Sequence, residues 1–262
     1  ARAAFLNGGS ERTIHLAYLQ ASGHVDAELP YPAIVAIDRH AAVLHYQYKD
    51  AEAPKRPRNL LIDSGATSAG YAADVTRTWT GEHAPGAFGA LVRSVDELQQ
   101  RLVEAVRPGL PYPALHALFH ERLAALLLDA GLVHGGSAAA VLDAGLTRVF
   151  CPHGLGHHLG LTTHDAGGLL ADPEGRPAPP PETDPALRNT RTIEVGQVFT
   201  IEPGVYFIDA LLARAPASGP GPHVDRRLVE VLAPCGGIRI EDDVAVTGDG
   251  IENLTRDAFG EV

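Results

Sequence analysis

Methionine is absent from the 262 residues, and cysteine, tryptophan and basic side chains are scarce. A chain of this length without an initiator reads either as an excised portion of a longer protein or as a sequence from which modified methionines have been left out. The two cysteines, Cys151 and Cys235, are too few for a disulfide framework and lack zinc-type spacing, so two reduced thiols are expected. No apolar run approaches the roughly 18 residues of a membrane-spanning helix, and the N-terminus lacks the basic, apolar and small-residue segments of a secretory signal. A soluble cytoplasmic protein with no membrane partner is therefore expected. Lys and Arg number 21 against 32 Asp and Glu, a formal charge of -11. That balance argues against a nucleic-acid surface, which needs clustered cations to release counterions from phosphates. Gly154 and Gly156 imitate a phosphate loop, but no strand, helix and third glycine frame them, so nucleotide binding is rejected.

What the chain does have is 45% apolar residues, enough for a sizeable core. A crowded apolar pattern from Gly9 to Ser22 fits a helix stopped at Gly23. Ala33 to Ile37 and Ala42 to Tyr46 read as two strands, and Asn59 to Asp63 as a third, whose hairpin partner is Tyr71 to Trp79. Apolar residues three or four apart predict helices over Gly89 to Val106 and Pro113 to Ala130, the second ending at Gly131, with a shorter helix over Gly136 to Leu146. Ala171 to Pro185 reads as an exposed loop. Val198 to Ile208, Val224 to Val231 and Ile238 to Thr247 read as strands. Helices and strands intermix without a βαβ rhythm, which predicts an α+β domain with a mostly antiparallel sheet. A ligand-bearing strand pair early in the chain is loosely echoed by another late in it.

The chemistry is carried by five side chains in distinct contexts. These are Asp63 in Leu61-Ile-Asp63-Ser-Gly65, Asp74 in Tyr71-Ala-Ala-Asp74-Val-Thr, His157 in Pro152-His153-Gly-Leu-Gly156-His157, Glu202 in Thr200-Ile-Glu202-Pro-Gly204, and Glu241 in Gly237-Ile-Arg239-Ile-Glu241-Asp242. Singly, each has a bland reading: Asp63 as a turn former, Glu202 as a solvated turn residue, Glu241 as part of an acidic exposed strand end with Asp242 and Asp243. Together they form a carboxylate-rich set with one imidazole, suited to moderately hard divalent ions such as Mn²⁺. Asp63 and Asp74 are too far apart to meet on one straight strand. Gly65 and Gly70 permit the reversal that would bring them together.

This ordered series resembles the catalytic domain of the creatinase/prolidase/methionine aminopeptidase superfamily, the pita-bread metallopeptidases, and most closely the Xaa-Pro dipeptidases. The resemblance runs from about His45 to the C-terminus. It implies a curved, mostly antiparallel sheet with pseudo-twofold halves covered by helices. It also implies a single catalytic domain over residues 1–262, with the usual preceding domain missing and a homodimer formed by the full-length protein. By resemblance, Asp63 chelates one metal, Asp74 and Glu241 bridge two, and His157 and Glu202 complete the second. The ions are expected to be Mn²⁺, with Co²⁺ or Zn²⁺ able to substitute. Glu202 is expected to shuttle the proton between an attacking water and the leaving amine. His164 would line the pocket and steady the developing oxyanion, and His153 would hold the His157 loop. His45 and Arg188 would take the carboxylate of a substrate proline, and Arg239 would point into the site. The substrate implied is a small peptide with proline at its second position. Aminopeptidase P is the rival enzyme and a metal-free binding scaffold the rival of another class. His116, His120 and His134 are assigned to surface or ordinary packing roles.

Overall fold

The computed structural model describes residues 1–260. Two three-stranded antiparallel sheets dominate it. In the first, Asn59–Ser64 runs between Ile34–Ile37 and Val75–Thr80, with Asp63 opposite Ile34 on one side and Thr76 on the other. In the second, Asp242–Val246 runs between Ile251–Asn253 and Val198–Ile201. A further ladder joins Gly204–Tyr206 to Gly237–Arg239. The halves are stitched together along a seam: the Glu241 amide donates to the Thr76 carbonyl at 3.0 Å, and the Thr78 hydroxyl donates to the Arg239 carbonyl at 3.0 Å.

The middle of the Asn59–Ser64 strand, Leu60 to Ile62, is apolar because both of its faces are covered. Leu60 and Ile62 meet Phe5, Ile14, Val35 and Ile37 from the N-terminal helices and first strand, while Leu61 meets Ile34, Ala36, Ala41 and Tyr46. Alternation of side chains along the strand puts Asp63 on the Leu61 face. The main core lies between the second half and two long helices. Gly86–Ala105 buries Phe88, Leu91, Val95, Leu98 and Leu102, and Tyr112–Asp129 buries Leu115, Phe119, Leu123 and Leu127. Both stripes follow the spacing of one helical face. The first predicted helix appears as Glu11–Ser22, where Ser10 accepts from the Thr13 amide at the start and Gly23, at φ 72°, closes the end. Among the described residues no helix is long and apolar enough to cross a membrane.

Three expectations are corrected. Residues 42–46 form no strand. The chain turns there through the short 3-10 helix Asp38–Ala42, tied down by buried Glu11, which accepts from the Ile37 and Asp50 amides, the His40 ring and the Tyr46 hydroxyl. In place of the strand expected over 224–231 the chain is helical over Arg226–Leu232, since the Asp225 carboxylate caps the Leu228 amide at 2.9 Å, a local bond that outweighs β-branched content. The strand expected over 198–208 breaks after Ile201 and resumes at Gly204, because Pro203 has no amide for a ladder.

Backbone between 155 and 159 lies beside the second sheet. His157 and Leu155 carbonyls accept from the Thr200 and Glu202 amides, and the Leu159 amide donates to the Val198 carbonyl, at 2.8 to 3.0 Å. Gly156 is needed for this approach: a Cβ there would stand 2.0 Å from the Thr200 carbonyl oxygen and 2.5 Å from the Tyr112 hydroxyl. Gly156→Ala is expected to cost on the order of 3 kcal/mol, seen as a lowered Tm. Gly221→Ala, with nothing within 4 Å of the added carbon, should leave Tm unchanged in the same assay.

Candidate metal centre

The strand register carries the acidic groups to one place. Asp63 faces Thr76 across the first sheet, and Thr76 faces Glu241 across the seam, so the two carboxylates flank one threonine. The Thr76 hydroxyl donates to Glu241 Oε2 at 2.5 Å. Asp74 enters from the turn after Asp63. Gly65 makes that turn feasible, since a Cβ there would lie 1.7 Å from the Ala73 carbonyl oxygen. His157 Nε2 lies 3.3 Å from Asp74 Oδ2 and 3.8 Å from Glu202 Oε1. Asp74, His157 and Glu241 each offer a ligand atom, all within 4.8 Å of one another.

The His157 Nδ1 faces the His158 carbonyl at 3.0 Å, an acceptor only, so Nδ1 carries a proton and Nε2 is the nitrogen turned to the carboxylates. An ion displacing the Nε2 proton would find the ring oriented from behind as metal-bound histidines are. Asp63, Asp74 and Glu241 are buried and Glu202 is partly so. The guanidinium in contact with them is that of Arg239, whose Nη2 donates to Asp63 Oδ2. One cation beside four acids leaves negative charge in a low-dielectric place, which is costly unless protons or metal ions neutralise it. Burial raises the Asp63 carboxyl despite Arg239, and raises Glu241 well above the usual range, with Asp74 and Glu202 adding to it. Burial pushes Glu202 up to about 7 against the opposing pull of His157 and Arg239. Burial works against protonation of His157, but its bond to Asp74 and the Glu202 charge win and lift it to about 9. The donor set therefore fits divalent cations.

Several participants escaped sequence reasoning. The Tyr31 hydroxyl lies 2.8 Å from Asp63 Oδ1 and 2.5 Å from Asp74 Oδ1. One hydroxyl proton cannot serve both oxygens, a further mark of unbalanced charge. Tyr31 stands between Pro30 and Pro32 with no periodicity to single it out. Asp242 and Asp243 are buried rather than on an exposed strand end. Asp242 is held by Arg77 and Arg256, and Asp243 Oδ2 accepts from the Asp74 amide at 3.0 Å. Burial raises Asp243 to about 8.

Among the proposed substrate groups, His164 is exposed and stands edge-on to His157, ring centroids 4.4 Å apart. Burial, then the His157 and Arg188 charges, lower it to about 4, with His45 contributing. His45 and Arg188 are themselves exposed. Arg239 is buried behind the carboxylates. Its Nε donates to the Thr76 hydroxyl and its Nη1 to the Tyr206 hydroxyl at 2.9 Å, so its donors serve the protein. His153 gives its Nδ1 proton to the Gly154 carbonyl at 2.7 Å, and its Nε2 accepts from Tyr206 at 2.9 Å. Its Nδ1 lies 3.7 Å from Glu202 Oε2. Both cysteines are free and buried.

Comparison with known proteins agrees with this geometry. Residues 2–248 match the model of metallopeptidase family M24. The chain is 48% identical over 257 residues to the Xaa-Pro dipeptidase of Marinobacter nauticus, covering 98% of this chain and 58% of that protein. It is also 48% identical over 260 residues to the Xaa-Pro dipeptidase of Aeromonas hydrophila, again covering 58% of it. Among solved structures, zinc-substituted Escherichia coli aminopeptidase P in complex with product superposes with a TM-score of 0.74 at 27% identity, over 95% of this chain and 50% of that one. Proline aminopeptidase P II from Yersinia pestis gives a TM-score of 0.73 at 27% identity. The chain thus spans little more than half the length of the relatives it matches.

These raised carboxyls set the pH dependence of metal binding. Below the ordinary carboxylate range both folded and unfolded chains hold the protons. As pH rises to about 7 for Glu202, the unfolded chain loses its protons first, and the metal-free fold loses stability across that window. Divalent ions should restore it. Mn²⁺ at about 100 times its Kd should raise Tm by roughly 5–10 °C at pH 8 and by much less at pH 5, with proton release on binding detectable by calorimetry in two buffers.

Proposed function

The chain belongs to metallopeptidase family M24, and from that premise we propose that residues 1–262 are the catalytic domain of an Xaa-Pro dipeptidase, releasing proline and the amino acid before it. The observation that carries the reading is the meeting of Asp74, His157 and Glu241 in a chain 48% identical to proteins of that name. Two divalent ions, Mn²⁺ by preference with Co²⁺ or Zn²⁺ able to substitute, would be held by Asp63, Asp74, His157, Glu202 and Glu241. Such ions, when bound, polarise a carbonyl and make water acidic enough to attack near neutral pH.

The remaining steps fall to the chain's own groups. Glu202 would take a proton from the attacking water and hand it to the departing proline nitrogen, a role suited to a carboxylate. His164, lowered to about 4, is neutral at pH 7 and donates a hydrogen bond to the carbonyl oxygen as it gains charge. Arg188 presents its fork to the free carboxylate of the substrate proline, with His45 beside it. Arg239 and Tyr31 orient Asp63 and Asp74, and His153, bonded to the Gly154 carbonyl and the Tyr206 hydroxyl, holds the loop that carries His157. A cytoplasmic setting and a homodimer of the full-length protein belong to the same proposal.

The aminopeptidase P reading is favoured by the superposed structures. A carboxylate clamp separates the two, because a longer peptide has no free carboxylate on its second residue. Retention of all five metal-ligand types argues against a metal-free scaffold. With Mn²⁺ added, the protein is expected to hydrolyse Gly-Pro and Ala-Pro faster than an Xaa-Pro tripeptide. Cleavage of the tripeptide with inert dipeptides would instead support the aminopeptidase. Arg188→Ala should raise KM for Ala-Pro by about 10–100-fold with kcat little changed, the worth of a charge-assisted pair. Glu202→Gln should lower kcat by about 100-fold or more.

A further inference from the structure

A second group of metal-ligand type lies outside the carboxylate cluster, on the Tyr112–Asp129 helix. His116 and His120 are four residues apart and so occupy one helical face. They are 3% and 2% exposed. Their rings meet edge-to-face with centroids 4.6 Å apart. Both turn Nε2 toward Asp184 Oδ1 in the loop before Leu187, at 3.3 Å and 3.8 Å. None of the four ring nitrogens makes a hydrogen bond among the described residues. Buried imidazoles usually find partners, so two neighbouring rings left without them need a reason.

The spacing supplies one. Ligands about 2.0–2.1 Å from a tetrahedral zinc stand roughly 3.3–3.5 Å apart, close to the separations seen here. The carboxylate is held from behind as a ligand should be. Arg148 Nε and Nη2 donate to Asp184 Oδ1 and Oδ2 at 2.7 and 2.8 Å, and the Thr183 hydroxyl donates to Oδ2. The contrast with Glu11, His40 and Asp50, another trio of ligand types, is instructive: both Glu11 oxygens there already accept two hydrogen bonds each.

We propose that His116, His120 and Asp184 form an additional site for a single zinc-class divalent ion, distinct from the carboxylate cluster. Two nitrogens and one oxygen favour Zn²⁺ or Co²⁺ over the harder Mn²⁺. An ion there would tie the loop carrying Asp184 and Arg188 to the long helix.

The direct test is a crystal of the wild-type chain soaked in ZnCl₂ and measured on both sides of the zinc absorption edge. An anomalous peak bounded by His116 Nε2, His120 Nε2 and Asp184 Oδ1 is expected. Zinc in the carboxylate cluster with no peak between the histidines overturns the proposal. In solution, His120→Asn is expected to bind one equivalent of Zn²⁺ fewer than wild type by equilibrium dialysis, while keeping its circular dichroism spectrum and Mn²⁺-supported dipeptide hydrolysis. Equal zinc uptake by the folded variant would equally sink it, and should that variant not fold, the diffraction result alone decides. Neither readout requires the dipeptidase reading to be right.

Discussion

Everything at the centre of this molecule answers to one electrostatic constraint: four carboxylates share a largely dry place with one arginine in contact. Water cannot solvate them there, and Arg239 engages Asp63 alone among the four by hydrogen bond. The surroundings show the imbalance in several independent ways. A single tyrosine hydroxyl sits between two acids, burial drives Glu202 and Glu241 upward, and the Asp74 and Glu202 carboxylates lift His157. Divalent ions answer it, because each brings two positive charges on one compact centre.

The sheets exist in a form that enforces this crowding. Each half supplies part of the proposed ligand set, and neither half alone assembles it. Asp63 and Asp74 come from the first sheet and its turn, Glu202 and Glu241 from the second, and the seam between Thr76 and Glu241 fixes their separation. Small residues allow the close approaches, Gly65 under Ala73 and Gly156 against Thr200. Behind the ligands, Arg239, Thr76, Tyr206 and His153 form a continuous line of hydrogen bonds, so that the carboxylates are oriented before any cation arrives. That preorganisation is what makes a small displacement of one strand consequential for all five groups.

The histidines illustrate the limits of reading one residue at a time. His157 is set apart by its motif. His116 and His120 look like ordinary helix-packing residues, and by burial they are. Only the arrival of Asp184, more than sixty positions later in the chain, makes the pair a candidate for chemistry. Arg239 shows the opposite case, a charged residue two positions from a ligand whose guanidinium is spent on neighbouring protein groups rather than on the cleft.

From the letters alone came the α+β class, the two long helices, the Asn59 strand with its antiparallel partner, and the motifs of the five side chains proposed as metal ligands. These are legible because helical spacing and motif chemistry are local properties. The turn at 42–46, the helix at 226–232, the break at Pro203 and the part played by Tyr31 were decided elsewhere, by Glu11 reaching across from another helix, by a single capping aspartate, and by burial. Whether an acid such as Asp243 lies in solvent or in the core is likewise a matter of what packs over it. Partners distant in sequence set that environment, and spacing along the chain carries no record of them.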